Sequence, residues 1–160
     1  PDTIRHAAPA PDVPGPDGLP TMAGSGGDWE VRVVGGVDVD DPALVGPPEL
    51  DVWTRFAGGD VPPEHDRALV AFTTDGFLIA TAMRPHEGVG QSQAHVSLAT
   101  GVISHTITFH DEVRAGDWLL LAHSSPFAGG GRSYGRADVF TTDGSLVASF
   151  VQDAMIRAMS

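Results

Sequence analysis

Two copies of Thr-Thr-Asp-Gly carry carboxylates that could do acid–base chemistry, one at residues 73–76 and one at 141–144. Asp-Gly between apolar runs is typical of a β-hairpin turn. The second copy lies between two stretches of alternating hydrophobicity, so a hairpin turn is predicted at Asp143 and Gly144. The first copy lies inside an apolar stretch of residues 65–83, which is too long for one strand and rich in Ala and Leu. A helix is therefore predicted there.

On that helix Asp75 would share a face with four apolar residues, Ala68, Phe72, Ile79 and Ala82. A carboxylate on an apolar face is costly to bury, and the loss of water would make it a stronger base. Gly76 would lie mid-helix, where its lack of a side chain lets a sheet approach closely. The alternative is that Asp75 caps a helix break or bonds Thr73 or Thr74. The sequence leaves both interpretations open.

The surrounding elements predict an α+β fold. Asp60 is a candidate cap before the helix, and Arg84-Pro85 marks its end because proline cannot continue a helix. Strand patterns precede the helix in "WEVRVV" and "LDVWTRFAG" and follow it in "VISHTITFH", "DWLLLAHSS", "SYGRADVFT" and "SLVASFVQDAMIRAM". We expect five or six antiparallel strands wrapped around one central helix.

Composition restricts the function classes. The 160 residues suit a single domain, and 21 acidic against 9 basic residues give a net charge of −12, with no lysine. This balance argues against binding a nucleic-acid backbone. The chain has no cysteine, which excludes disulfides and thiolate catalysis. No apolar run is long enough to span a bilayer and no signal segment opens the chain, so no membrane partner and a cytoplasmic location are predicted.

Residues 1–27 are rich in proline and glycine, and a linker or disordered tail is predicted for them, with the folded domain at 28–160. The sequence opens at Pro1 without an initiator methionine, which is typical of a fragment or a processed chain.

Several segments in fixed order resemble one enzyme family. They are "PDVPGPDGLP", "LDVWTRFAGGDVPPEHDRALVAFTTDGFLIATAMRPH", "SHTITFHDEVRAGDWLLL" and "GGGRSYGRADVFTTDGSLVASFVQDAMIR". Together they are similar to the C-terminal half of the acyl-CoA thioesterase II (TesB-like) family, whose members carry two hotdog domains in one polypeptide. The resemblance implies a hotdog fold and the hydrolysis of fatty acyl-CoA to free fatty acid and coenzyme A. It implies no cofactor other than the coenzyme A of the substrate.

The family's proposed catalytic set is an Asp on the central helix, a Thr or Ser on the next strand and a Gln on the last strand. These groups hold a water that attacks the thioester. The resemblance places the Asp at Asp75 and the Gln at Gln152, but the hydroxyl position falls on Val102. Thr100 and Ser104 lie two residues to either side and would share its face on a regular strand, so they are the candidate substitutes.

Contacts with the substrate are predicted from what an acyl-CoA molecule would need. Gly76, Phe72 and Val102 are expected beside the acyl group, with Phe77, Ile79 and Met83 as further linings or plain core. Arg132 and Arg136 lie in the glycine-rich segment "AGGGRSYGR" and are candidate contacts for the phosphates of coenzyme A. The alternative is that this segment is a flexible loop between strands.

His105 and His110 attract attention as possible metal ligands, but five residues apart on a strand they face opposite ways. A structural role is favoured for both, and no metal site is predicted.

One hotdog half is not expected to act alone. A second hotdog domain is the predicted partner, reached by self-association or from a separate chain. The alternative function is a non-catalytic module that binds acyl-CoA or acts as a scaffold, and Val102 at the hydroxyl position favours it.

Overall fold

The computed structural model describes residues 5–22 and 27–159, in which one antiparallel sheet curls around a helical layer. Six strands are hydrogen-bonded in the order β1-β2-β4-β5-β6-β3. Their bounds are β1 Trp29–Val33, β2 Glu49–Phe56, β3 Leu98–Phe109, β4 Leu119–Gly129, β5 Arg132–Thr141 and β6 Leu146–Ala158. The predicted α+β architecture is confirmed. No helix in these two ranges is long and apolar enough to cross a membrane.

The central helical stretch is interrupted in its middle. Helix α1 spans Pro63–Thr73 and α2 spans Leu78–Met83, so the expectation that the first Thr-Thr-Asp-Gly continues the helix is wrong. The Thr74 hydroxyl donates to the Ala71 carbonyl at 2.7 Å. A side chain that bonds the backbone in this way competes with regular helix, and consecutive β-branched threonines add to the effect. Asp75 consequently lies in the connection between the two helices.

The start of α1 also differs from the sequence prediction. Pro63 opens the helix, where its missing N–H costs nothing, but Asp60 lies outside and no side chain caps the N-terminus. Asp66 in the first turn is buried instead. It accepts the Ala115 N–H at 2.7 Å, and the Arg114 Nε lies 3.0 Å from its other oxygen. This carboxylate therefore ties α1 to the loop between β3 and β4.

The main core lies between the helices and the inner, concave face of the sheet. It contains Val70, Leu78, Leu119, Leu121, Val139 and Phe150, all at most 2 % exposed. Gly135 of β5 allows α2 to pack directly on the sheet. A Cβ atom at Gly135 would lie 2.6 Å from the Leu78 Cδ2 and 3.2 Å from its Cβ.

We expect Gly135→Ala to destabilise the fold by about 1–3 kcal/mol, because the added methyl group forces Leu78 and α2 away from the sheet. Urea unfolding followed by circular dichroism measures this. Gly101→Ala is the matched control, since its Cβ would meet no atom within 4 Å in β3. Equal unfolding midpoints for the two variants would contradict the close approach.

The N-terminal segment packs on the outer, convex face of the sheet. Ala10, Val13 and Leu19 contact a buried cluster of Trp53, Leu120 and Phe140. The Trp53 indole donates to the Pro14 carbonyl at 2.9 Å, and Arg32 donates to the Pro16 carbonyl at 2.6 Å. The interpretation of this segment as a disordered tail is therefore wrong for residues 10–19. The domain boundary at residue 28 stays a prediction.

Two turns between strands show the conformation of the second Thr-Thr-Asp-Gly and of the glycine-rich segment. Thr141, Asp143 and Ser145 bond one another around Gly144, which has a φ of 84°, so the second Thr-Thr-Asp-Gly is the predicted hairpin turn. Gly130 and Gly131 join β4 to β5 with φ values of 60° and 78°. Two successive residues with positive φ are typical of the tight type I′ turn. The glycine-rich segment is thus an ordered hairpin.

Candidate active site

Asp75 and Gln152 meet at the centre of the inner face. The Gln152 side chain extends from β6, is 1 % exposed, and its Nε2 lies 3.0 Å from the Asp75 Oδ1. Asp75 approaches from the connection between α1 and α2 and is solvent-exposed in this chain. The pairing of the two residues is as expected, whereas the placement of Asp75 on an apolar helix face is wrong. The helix break supplies this geometry because it frees the carboxylate to point at the sheet.

The Gln152 amide has a defined orientation. An ionised carboxylate only accepts hydrogen bonds, so the group that faces Asp75 is the NH₂. The same Nε2 lies 3.3 Å from the Nδ1 of His105. The remaining atom, Oε1, is buried and has no hydrogen-bond partner within the described parts of the chain. A buried acceptor without a partner costs free energy, which favours a donor ligand at this point.

His105 is the site residue that the sequence interpretation left as structural. Its Nε2 lies 2.9 Å from the Thr74 hydroxyl, and its ring packs on Phe150 with centroids 5.4 Å apart. His110, on the opposite face as predicted, bonds Ser149 at 2.9 Å instead. The sequence feature that could have indicated His105 is its position in "SHTITFH", directly after the candidate hydroxyl residue Ser104.

An irregularity in β3 decides which residues face the site. Val102 pairs with Ala154, but Ser104 pairs with Asp153, which leaves Ile103 as an extra residue in a β-bulge. The bulge reverses the alternation, so Ser104 faces outward, where it donates to the Asp153 carboxylate at 3.3 Å. The expectation that Ser104 shares the face of Val102 is therefore wrong.

Thr100 and Val102 do share the inner face. Thr100 is buried and pairs with Ile156, two residue pairs further along the strand than Val102. His105 is the β3 residue paired with Gln152. The Ser104 hydroxyl bonds Asp153 and not Gln152. The position where a hydroxyl is expected is occupied by the apolar Val102.

The predicted acyl contacts are distributed around the site and not gathered into one slot. Phe72 is 71 % exposed and stacks on Trp29, with centroids 6.3 Å apart. Gly76 lies on the surface of the helix break, where a Cβ would meet only the Thr73 carbonyl at 3.7 Å, so no sheet approaches it. Val102 is 38 % exposed beside the site.

A small apolar cavity of about 190 Å³ lies further along the same inner face, beyond Thr100 and Ala154. Met83 contributes to it, together with Ala82, His86, Val89, Leu98 and Ile156. Of the other expected linings, Phe77 packs beside His123 at 5.9 Å between ring centroids, and Ile79 is half-buried.

The two arginines are not brought to the Asp75–Gln152 pair. Arg132 and Arg136 alternate with the buried Ser133, Gly135 and Ala137 in β5, and Arg132, at the start of the strand, also borders the apolar cavity beside Met83. Arg132 lies 3.4 Å from the Asp153 carboxylate, and Arg136 donates to Ser124 at 3.4 Å. Their predicted role as contacts for the phosphates of coenzyme A stays a prediction.

A second buried histidine lies on the same face. The Nδ1 of His123 lies 2.9 Å from the Leu50 carbonyl, and its ring packs edge-on to Phe150 at 5.8 Å. Burial lowers the pKa of His123 from 6.5 to about 4, against the opposing effect of the backbone contacts with Leu50 and Leu121. His123 therefore stays neutral at physiological pH.

No group of three or more His, Cys, Asp or Glu side chains is placed to hold a metal in residues 5–22 and 27–159. The chemistry available to this site is that of a carboxylate, an amide and two imidazoles.

The model of one family, the acyl-CoA thioesterase C-terminal domain, matches residues 5–156, nearly the whole chain. The chain belongs to this family. The match includes the N-terminal segment that packs on the outer face, together with the Asp75–Gln152 pair and the β3 bulge.

Relatives of this thioesterase domain agree with the assignment. The chain is 34 % identical over 113 residues to acyl-CoA thioesterase 2 of Haemophilus influenzae, covering 69 % of this chain and 38 % of the relative. It is 30 % identical over 129 residues to acyl-coenzyme A thioesterase 8 of Rattus norvegicus, covering 72 % of this chain and 38 % of the relative. The domain thus spans well under half the length of these relatives.

Solved structures confirm the hotdog fold. An acyl-CoA thioesterase II from Mycobacterium marinum superposes with a TM-score of 0.79 at 30 % identity, covering 98 % of this chain and 59 % of that one. A hotdog protein from Alicyclobacillus acidocaldarius gives a TM-score of 0.74 at 20 % identity, covering 98 % of this chain and 58 % of that one. The thioesterase domain described here is therefore one hotdog unit, similar to about half of each longer chain.

Proposed function

We propose that the protein is an acyl-CoA thioesterase that hydrolyses fatty acyl-CoA to free fatty acid and coenzyme A. The observation that carries the proposal is the Gln152 amide bonded to Asp75 at 3.0 Å, with its buried oxygen left without a partner among the described residues. Membership of the acyl-CoA thioesterase C-terminal domain family supports it.

In the proposed reaction one water lies between the two side chains. It donates one hydrogen to the Gln152 Oε1 and the other to the Asp75 carboxylate, which leaves a lone pair directed at the thioester carbon. Attack forms the C–O bond while Asp75 takes the proton. Collapse of the tetrahedral intermediate breaks the C–S bond, and the thiolate of coenzyme A leaves with the proton that Asp75 accepted, which restores the carboxylate. Asp75 is the general base, and Gln152 orients the water without adding charge.

A second hotdog domain completes the proposed site. Three residues before Asp75 the chain exposes Phe72, at 71 %, and the edge strand β3 exposes the bulged Ile103, at 55 %. Exposed aromatic and branched side chains next to an unpaired strand edge are typical of a surface that another domain covers. Such a cover would exclude bulk water from the space beside Asp75. The partner half comes from the same polypeptide, a second copy or a separate chain.

The test is thiol release from a panel of acyl-CoA esters of increasing chain length, comparing the wild-type protein with Gln152→Ala. We expect the variant to lose about 100-fold in kcat, because both the water-holding oxygen and the contact with Asp75 are removed. Ser149→Ala, on the outer face of the same strand and bonded to Asp138, is the control. Equal rates for all three proteins would contradict the proposal.

The second candidate is a non-catalytic domain that binds acyl-CoA or supports an active partner. Val102, which lies on the inner face where the family pattern places a hydroxyl, is the observation that favours it. Background hydrolysis by the wild-type protein together with saturable binding of acyl-CoA would select this alternative.

The proposed hydrolysis uses no metal or cofactor of its own. A cytoplasmic location stays a prediction.

A further inference from the structure

The hydrogen bonds around Gln152 assign every proton in one continuous chain of groups. Both hydrogens of the Gln152 NH₂ are engaged, one by Asp75 at 3.0 Å and the other by the Nδ1 of His105 at 3.3 Å. Because an amide nitrogen only donates, Nδ1 must be the bare, accepting nitrogen. The hydrogen bonds therefore place the ring hydrogen of His105 on Nε2.

The far side of the imidazole agrees with this assignment. The Thr74 hydroxyl donates to the Ala71 carbonyl at 2.7 Å, so its oxygen is free to accept from the His105 Nε2–H at 2.9 Å. Thr74 is fully buried at the end of α1. The helix break therefore fixes Thr74, Thr74 fixes the imidazole tautomer, and the imidazole fixes the amide.

We propose that His105 is the positioning residue of this site, which holds the Gln152 amide with its oxygen toward the reacting water. The proposal rests on the hydrolytic function above and assigns the role to an imidazole three residues beyond Val102, the position where the family pattern has a hydroxyl. Asp75 alone leaves the amide free to rotate about its bond to the carboxylate, whereas two acceptors on one nitrogen determine its plane. The bulge at Ile103 makes this possible, since it turns His105 and not Ser104 toward Gln152.

A kinetic comparison of three variants tests the role. His105→Phe keeps a ring against Phe150 but removes both hydrogen bonds, and we expect kcat to fall about 10–100-fold with KM changed less than about threefold. His105→Asn places an acceptor oxygen near the former Nδ1 and should recover at least about a fifth of the wild-type kcat. His110→Phe, on the other face of the same strand, should keep the wild-type rate. A kcat for His105→Phe within about twofold of wild type overturns the proposal.

A spectroscopic measurement on the wild-type protein separates this proposal from the proposed function. Long-range ¹H–¹⁵N correlation at mildly alkaline pH should show His105 as the Nε2–H tautomer. His123, which donates from Nδ1 to the Leu50 carbonyl, should show the opposite tautomer and serves as the internal reference. An Nδ1–H tautomer at His105 overturns the network. If the wild-type protein hydrolyses no acyl-CoA, the proposed function fails, and the tautomer still decides whether His105 orients the amide.

Discussion

Asp75→Asn is expected to lower kcat for thioester hydrolysis by about 100–1,000-fold, the range typical of losing a general base. The substitution keeps the shape of the side chain, and its carboxamide oxygen still accepts the Gln152 N–H that Asp75 accepts at 3.0 Å. The amide orientation therefore survives, while the group that takes the proton from water is lost. Because binding of the acyl-CoA does not depend on that proton transfer, KM should change little.

The duplicated tetrapeptide offers a matched control for this prediction. Asp143→Asn makes the same chemical change in the second Thr-Thr-Asp-Gly, at the exposed turn between β5 and β6. Initial rates of thiol release should stay within about twofold of wild type for Asp143→Asn, because the turn lies outside the site. Comparable losses in the two variants would show that Asp75 acts through folding and not through chemistry.

The two identical tetrapeptides also show what local sequence can and cannot predict. The alternation around residues 132–158 predicts β5, the turn and β6, and the structure has all three. The first copy follows a helix, and its conformation depends on Thr74, which bonds both the Ala71 carbonyl and His105. His105 is 31 residues away along the chain, so no window of local sequence contains the contact that stabilises the break.

The candidate site could be predicted in its chemistry but not in its full geometry. The resemblance identifies Asp75 and Gln152, and the structure joins them at 3.0 Å. The prediction of the candidate hydroxyls assumes that side chains alternate regularly between the two faces of β3. The single bulged residue Ile103 reverses the face for every residue of the strand that follows it. A bulge leaves no periodic signal in one sequence, and for this reason the alternation indicates Ser104 and not His105.

The N-terminal segment departs from prediction for a compositional reason. Its many prolines and glycines are typical of a disordered linker, yet proline also lowers the entropy lost on ordering. A few apolar side chains such as Val13 and Leu19 are then enough to hold it against the buried Trp53 and Leu120. The strands that it covers, β2 and β4, carry large apolar residues on their outer face, and these residues are the sequence feature that indicates a cover.

The buried His123 is expected to make the fold acid-sensitive in a defined pH window. Burial lowers its pKa from 6.5 to about 4, and its Nδ1–H donates to Leu50, so an added proton would have to occupy Nε2, which has no partner among the described residues. Between these two pKa values the unfolded chain binds more protons than the folded one. Stability is therefore complete above about pH 6.5 and falls as the pH drops toward 4.

Between about pH 7.5 and pH 4.5 this single group should remove about 2.5 kcal/mol from the free energy of unfolding. Asp51 acts in the opposite direction near the lower limit, because burial and the neighbouring Glu49 raise its pKa. The pKa of Asp143 is lowered by its bonds to Thr141 and Ser145, so its stabilisation is lost only below the window.

The measurement is urea unfolding of the wild-type protein, His123→Gln and the exposed control His110→Gln across this range. His123→Gln should show a pH dependence flatter by about 2.5 kcal/mol, since it contains no imidazole to charge. Parallel pH profiles for all three proteins would mean that His123 gains its proton without opening the core, and the pairing of Phe77 and Phe150 around it would then have to be looser than the structure shows.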